Sequence, residues 1–167
     1  GWSELQTGLA IFPAGILVAV LSPRMAWLVT RFGVTRLIVA GMTSIAAAYA
    51  LFLPIGLDSA YTSAMLPTMA LIGLGFTLVY GPLTIVATEG VDDDEQGLAS
   101  GLFNTAFQFG AAIGLAVVAS VVVSATGSGA DPEALLDGYR AGLVVPVAGA
   151  LLALVVTVPG LRRPVPA

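Results

Sequence analysis

"SPRMAWLVTRFGVTRL", Ser22–Leu37, holds three of the chain's six basic residues, Arg24, Arg31 and Arg36. The sequence on either side is almost free of charge. A helix needs about 20 consecutive apolar residues to cross a bilayer. Residues 7–30 supply one such run and residues 36–57 the next. The arginines therefore read as a short polar turn between two spanning helices. Outward from there, the remaining charges delimit three further runs, residues 60–87, 96–124 and 139–160.

Composition leads to the same class. The chain has 167 residues, 57% of them hydrophobic and 10% charged, with a mean hydropathy of +0.98. A soluble domain carries about 25% charged residues, because its surface must be hydrated. This chain cannot cover a water-facing surface, so its surroundings are read as a lipid bilayer. An open strand would leave backbone groups unpaired in lipid, and the fold class expected is all-α, a polytopic transmembrane helix bundle. The net charge of −4 includes no basic stripe of the kind nucleic acid requires. Cysteine and histidine are absent, which excludes disulfides, thiolate chemistry and imidazole metal sites. No metal and no cofactor are expected. The opening "GWSELQTG" has neither Met nor a basic region before an apolar core, unlike a signal peptide. It reads as a cut edge, and the chain as a piece of something longer.

The connections carry helix punctuation. Pro54, Gly56 and Asp58 mark one break. Asp92 with Glu95 suggests a capping box, and the run Asp92, Asp93, Asp94, Glu95 reads as a solvated turn. "ATGSGADPEALLDGYR", Ala125–Arg140, reads as the longest polar loop. Cytoplasmic loops collect Lys and Arg. With the Arg24–Arg36 turn inside, Arg162 and Arg163 after the fifth span fall inside too, which makes the C-terminus cytoplasmic. Arg140 falls outside, against the rule.

The order of residues around the arginines carries more than their charge. "SPRMAWLVTRFGVTRLIVAG" resembles the helix–turn–helix signature of the major facilitator superfamily, G-x-L-a-D-r-x-G-r-r. Leu28, Arg31, Gly33 and Arg36 occupy matching places, with Gly33 suited to an unusual turn backbone. Ala26 stands for the usual Gly and Thr30 for the usual Asp, so the family's charge network around that carboxylate is not expected here. "GWSELQTGLAIFPAGI", "LIGLGFTLVYGPLTIVA" and "GLASGLFNTAFQFGAAIGLAVVAS" are similar, in order, to stretches of the drug:proton antiporter branch with fourteen spans. The resemblance implies that residues 1–167 are a partial C-terminal bundle, the last five helices of a secondary active transporter. The whole N-terminal half and one further helix would then be missing. It also implies proton-coupled multidrug efflux by alternating access in the inner membrane of the cell, with small amphiphilic substrates and protons as partners. The alternative is a self-standing small membrane protein that scaffolds or regulates a partner.

Polar and small residues inside the runs mark candidate sites. In the fourth, Gly97, Gly101, Asn104 and Gln108 share a helical face, with Gly110 and Gly114 near the opposite one. Small residues four apart let backbones approach, which suggests a helix packed between neighbours. Asn104 and Gln108 read as interhelical hydrogen-bonding groups or as part of a substrate path. In the third run, Gly73, Thr77, Gly81, Thr84 and Thr88 form a stripe beside Tyr80. Pro82 lacks an N–H and should kink the helix near Gly81. Thr77, Thr84 and Tyr80 are substrate-path candidates, since transporters place sites at interrupted helices; the competing reading bonds the threonines to their own backbone. Phe103 and Phe107, one turn apart, read as packing. "LLALVVTVP" suits a lipid-facing outer helix. No Asp, Glu, His or Lys lies at mid-membrane depth, so any proton site would lie in missing helices. No nucleophile–base pair or paired carboxylates can be assembled in the runs, and the chain is read as not an enzyme.

Overall fold

The structure is a computed structural model that describes residues 3–54, 56, 65–127 and 131–159. Among these, helix α1 spans Glu4–Leu21, α2 Met25–Phe32, α3 Val34–Phe52, α4 Leu66–Thr88, α5 Gln96–Thr126 and α6 Pro132–Thr157, with no strand. Five helical segments are long and apolar enough to cross a bilayer, with α1 and α2 together forming the first, Glu4–Phe32. Asp58, Arg162 and Arg163 lie outside the described residues.

A reciprocal cap opens α1. Gln6 N–H donates to Ser3 Oγ (3.3 Å), and Ser3 N–H donates to Gln6 Oε1 (2.9 Å). This satisfies two of the donors that a helix start leaves unpaired.

The first apolar run is not one regular helix. A 3-10 turn, Ser22–Arg24, separates α1 from α2. Pro23 has no N–H for the Ala19 carbonyl, so the α-helical ladder cannot continue through it. Side chains add bonds around the break: Ser22 Oγ donates to the Val18 carbonyl (2.7 Å), which also accepts the Ser22 N–H, and Arg24 Nη1 donates to the Val20 carbonyl (2.6 Å). Arg24 is thus a brace for the broken backbone. Arg31 and Arg36 flank the turn at Gly33, where φ is 80° and ψ 151°, a region open essentially to Gly alone.

Two other ends differ from the sequence-based expectations. Asp92 and Glu95 form no capping box, because the Asp92 carbonyl itself accepts from Glu95 N–H (2.9 Å) and Gln96 N–H (3.1 Å). The backbone turn satisfies those donors, and the side-chain contact is instead Gln96 Nε2 to Asp93 Oδ1 (3.3 Å). The loop expected up to Arg140 ends at Asp131, where α6 starts. Pro132 at the first helical position is pre-set to a helical φ, and its missing N–H costs nothing there. Arg140 then sits one turn after Asp137 and pairs with it at 3.2 Å, so its charge on that side is locally matched.

Close approaches at small residues define the bundle. Gly41, Ser44 and Ala48 on α3 are buried; Gly41 meets Gly75 of α4, and Ser44 Oγ donates to the Leu71 carbonyl across that interface (2.8 Å). A Cβ on Gly73 of α4 would fall 2.6 Å from the Ala14 carbonyl oxygen of α1. Gly138 and Gly142 of α6 lie against Thr126 and Val122 of α5, and α6 packs on α3 as well. These pairings run α1 parallel to α4, α3 antiparallel to α4, and α5 antiparallel to both α4 and α6. The Gly33 turn and the acidic Asp92–Glu95 turn consequently share one end of the bundle.

Helices α1 and α5 have no buried residue among the described ones, and of the two α5 is the one on which glycine spacing suggests close neighbours. A Cβ at Gly97, Gly101, Gly110 or Gly114 would meet nothing within 4 Å. The expectation that these glycines seat α5 between neighbours is therefore not met among the described residues. Glycines do set the α5–α6 approach, but they sit on α6, four apart in "GYRAG". Exposed apolar residues on the far part of α6, Leu151, Leu152, Val155 and Val156, match the outer-helix character of "LLALVVTVP".

Candidate functional site

Where α4 meets α5, four rings converge. Phe76 and Tyr80, one turn apart on α4, stack with centroids 5.2 Å apart and planes 12° from parallel. Phe103 and Phe107, one turn apart on α5, close on them. Tyr80 lies 5.6 Å from Phe103 and 5.1 Å from Phe107, the latter edge-to-face. Phe76 lies 6.2 Å from Phe107, also edge-on. These separations fall in the favourable range for aromatic pairs, where each contributes about 0.5–1.5 kcal/mol beyond burial. Phe103 and Phe107 do pack, and they supply much of what holds α5 to α4. Yet Phe76 and Phe107 each remain 39% exposed, so the cluster presents an open aromatic edge.

Beside Tyr80 lies a cavity of about 90 Å³, lined by Val18, Ser22, Met25, Phe76, Thr77, Tyr80 and Gly81. Tyr80 therefore borders both the cavity and the α5 face. Among the described residues no charged side chain lines this space.

The threonine stripe has a different role in the geometry. Thr77 is buried at 4% exposure and donates to the Gly73 carbonyl (2.8 Å). Thr84 donates to the Tyr80 carbonyl (2.8 Å), and Thr88 reaches the Thr84 and Ile85 carbonyls, each at 3.2 Å. Such bonds to the preceding turn are a habit of threonine in helices. The Gly73–Thr77–Gly81 part of the stripe packs toward α1 and the start of α2, with Pro82 fully buried behind it. Thr77 borders the cavity, but Thr84 does not.

Asn104 and Gln108 project from α5 next in sequence to Phe103 and Phe107, about 100° round the helix. Both are exposed, and no hydrogen bond joins either side chain to another described residue. The sequence reading missed Phe76 as the partner of Tyr80. Their four-residue spacing, repeated by Phe103 and Phe107, was the available signal.

Residues 1–115 match the profile of the Major Facilitator Superfamily, over two thirds of the chain. The chain belongs to the major facilitator superfamily. It is a multi-pass membrane protein with an all-helical bundle of that superfamily. It is 37% identical to the cephamycin export protein of Amycolatopsis lactamdurans over 163 residues, 95% of this chain and 32% of that protein. It is 34% identical to the puromycin resistance protein of Streptomyces alboniger over 164 residues, 93% of this chain and 33% of that protein. A multidrug resistance protein of Mycobacterium tuberculosis is 31% identical over 133 residues, 80% of this chain and 24% of that protein. The chain thus spans at most about a third of the length of these relatives. The aromatic cluster lies where α4 and α5 meet, with Phe76 and Phe107 partly open there.

Proposed function

We propose that this chain is the C-terminal part of a secondary transporter that exports amphiphilic drugs, with the α4–α5 aromatic edge on the substrate path. The observation that carries this reading is the uncovered face of α5. It combines half-exposed rings with Asn104 and Gln108, polar groups that are costly to leave in lipid. Helices outside these 167 residues would cover that face and enclose a path between two bundles, as alternating access requires. The export and resistance proteins to which the chain is similar support the same substrate class. Uncharged lining beside Tyr80 suits apolar and aromatic groups, and ring faces also attract organic cations.

Proton-driven antiport belongs to this reading and needs a titratable group within the barrier. Among the described residues no Asp, Glu, His or Lys lies at mid-span depth, so the proton site is assigned to helices outside these 167 residues. The membrane is taken to be the cell's inner membrane, with the Arg24–Arg36 turn and the C-terminus on the cytoplasmic side. Exposed Trp27, edge-on to Phe32 at 6.3 Å, suits the interfacial level next to those arginines.

The test is removal of the gene from its cell. Increased sensitivity to puromycin-like and cephalosporin-like compounds, reversed by restoring the gene, would support export. Unchanged sensitivity and unchanged dye retention would count against it and favour the scaffold alternative.

A further inference from the structure

Two interruptions of helical hydrogen bonding face each other in this bundle. One is the 3-10 turn Ser22–Arg24 between α1 and α2. The other is Pro82 in α4, which offers no N–H to the Leu78 carbonyl. Met25, the first residue after the 3-10 turn, is buried at 6% exposure and bridges them. Its side chain occupies the place of a Cβ on Gly81: that atom would fall 2.6 Å from Met25 Cγ and 3.2 Å from both Cε and Sδ. Only glycine at position 81 leaves room for it.

The same spot holds the cavity of about 90 Å³ bordered by Met25, Thr77, Tyr80 and Gly81. Space beside two weakened helices gives them room to bend, and methionine, unbranched with three rotatable bonds, keeps contact through such a change. The segments past the interruptions are α2 and the last turns of α4, which run parallel to the same end of the bundle.

We propose that Met25 is a wedge coupling the α1–α2 break to the hydrogen-bond gap at Pro82 in α4, so that α2 and the end of α4 move as one body relative to α1. This goes beyond the transport reading and needs no substrate to be tested.

The 167 residues contain no cysteine, so spin labels can be placed on the polypeptide as its cell makes it, after replacing any cysteine elsewhere with serine. Labels on Thr30→Cys and Val86→Cys report on the coupled body; labels on Leu9→Cys and Val86→Cys report across the breaks. The expected result in bilayers is a narrow Thr30–Val86 distance distribution and a broad or two-peaked Leu9–Val86 distribution. Met25→Ala should broaden the first to match the second, Gly81→Ala should do the same by unseating the wedge, and Met25→Leu should keep it narrow. A narrow Leu9–Val86 distribution in the unaltered background would overturn the proposal, as would a Thr30–Val86 distribution equally broad there. So would a Thr30–Val86 distribution that stays narrow in Met25→Ala. If Gly81→Ala fails to fold, the Met25 pair of variants still decides.

Discussion

Gly41 of α3 and Gly75 of α4 face each other so closely that a Cβ on either would lie 2.8 Å from the other's carbonyl oxygen. Their backbones meet one turn from the Ser44–Leu71 hydrogen bond. In lipid, where apolar surface gains little by leaving its surroundings, such close packing and interhelical hydrogen bonding hold helices together.

Valine at Gly75 must therefore push α3 and α4 apart. The expected loss is about 1–3 kcal/mol, the usual cost of overpacking. Ser44→Ala should cost about 0.6–2 kcal/mol, the worth of one interhelical hydrogen bond in a membrane. Thermal unfolding in detergent, followed by loss of the monodisperse species, measures both. A Gly75→Val variant as stable as the parent would show that the helices are not in contact there.

At Tyr80 the ring and the hydroxyl separate cleanly. Tyr80→Phe keeps all three aromatic contacts and should alter stability by less than about 0.5 kcal/mol. Tyr80→Ala removes contacts worth about 0.5–1.5 kcal/mol each and loosens α5 from α4. The check is intramembrane cross-linking between cysteines placed on those two helices, at positions away from the rings. Equal cross-linking yields in the two variants would show that the cluster does not hold α5.

Along α5, Gly101 has open space around it in this bundle. If helices elsewhere in the polypeptide cover that face, Gly101→Leu should lower transport and stability of the natural protein. Leucine at Gly15, also open in α1, serves as the comparison. An effect at Gly101 no larger than at Gly15 would mean that α5 faces lipid.

The antiparallel pairings put the Gly33 turn and the acidic Asp92–Glu95 turn at one end, and Asp131 at the other. Single cysteines at Thr35 and Asp93 should therefore react alike with a membrane-impermeant maleimide, and one at Asp131 in the opposite way. In intact cells the proposed orientation makes Asp131→Cys the reactive one. Reaction of Thr35→Cys and Asp93→Cys from opposite sides would contradict the fold itself.

The helical, membrane-spanning class was legible because lipid permits so few solutions: long uncharged runs leave helices as the simplest reading. The turn at Gly33 was legible too, since few positions combine two flanking arginines with a glycine between apolar runs. Local exchanges of hydrogen-bond partners were harder to read. Asp92 and Glu95 carry a capping pattern, but the Asp92 carbonyl takes the donors first. Arg24 reads as an orientation signal, while its guanidinium braces the Val20 carbonyl. Asp131–Pro132 was a readable helix start, obscured by the glycines before it. Pairing of helices was least legible. Glycine spacing looks the same on α5, where no described residue approaches the glycines, as on α6, where Val122 and Thr126 do, because a one-helix pattern does not name its partner.

The measurement that bears most directly on the central claim is the rate at which an amphiphilic dye leaves cells carrying the natural polypeptide. It should be compared with Tyr80→Ala at equal membrane level and with cells lacking the gene. Rapid efflux is expected with the natural polypeptide, and loss of most of it in Tyr80→Ala. Efflux no faster than in cells lacking the gene, or full efflux in Tyr80→Ala, would contradict that claim.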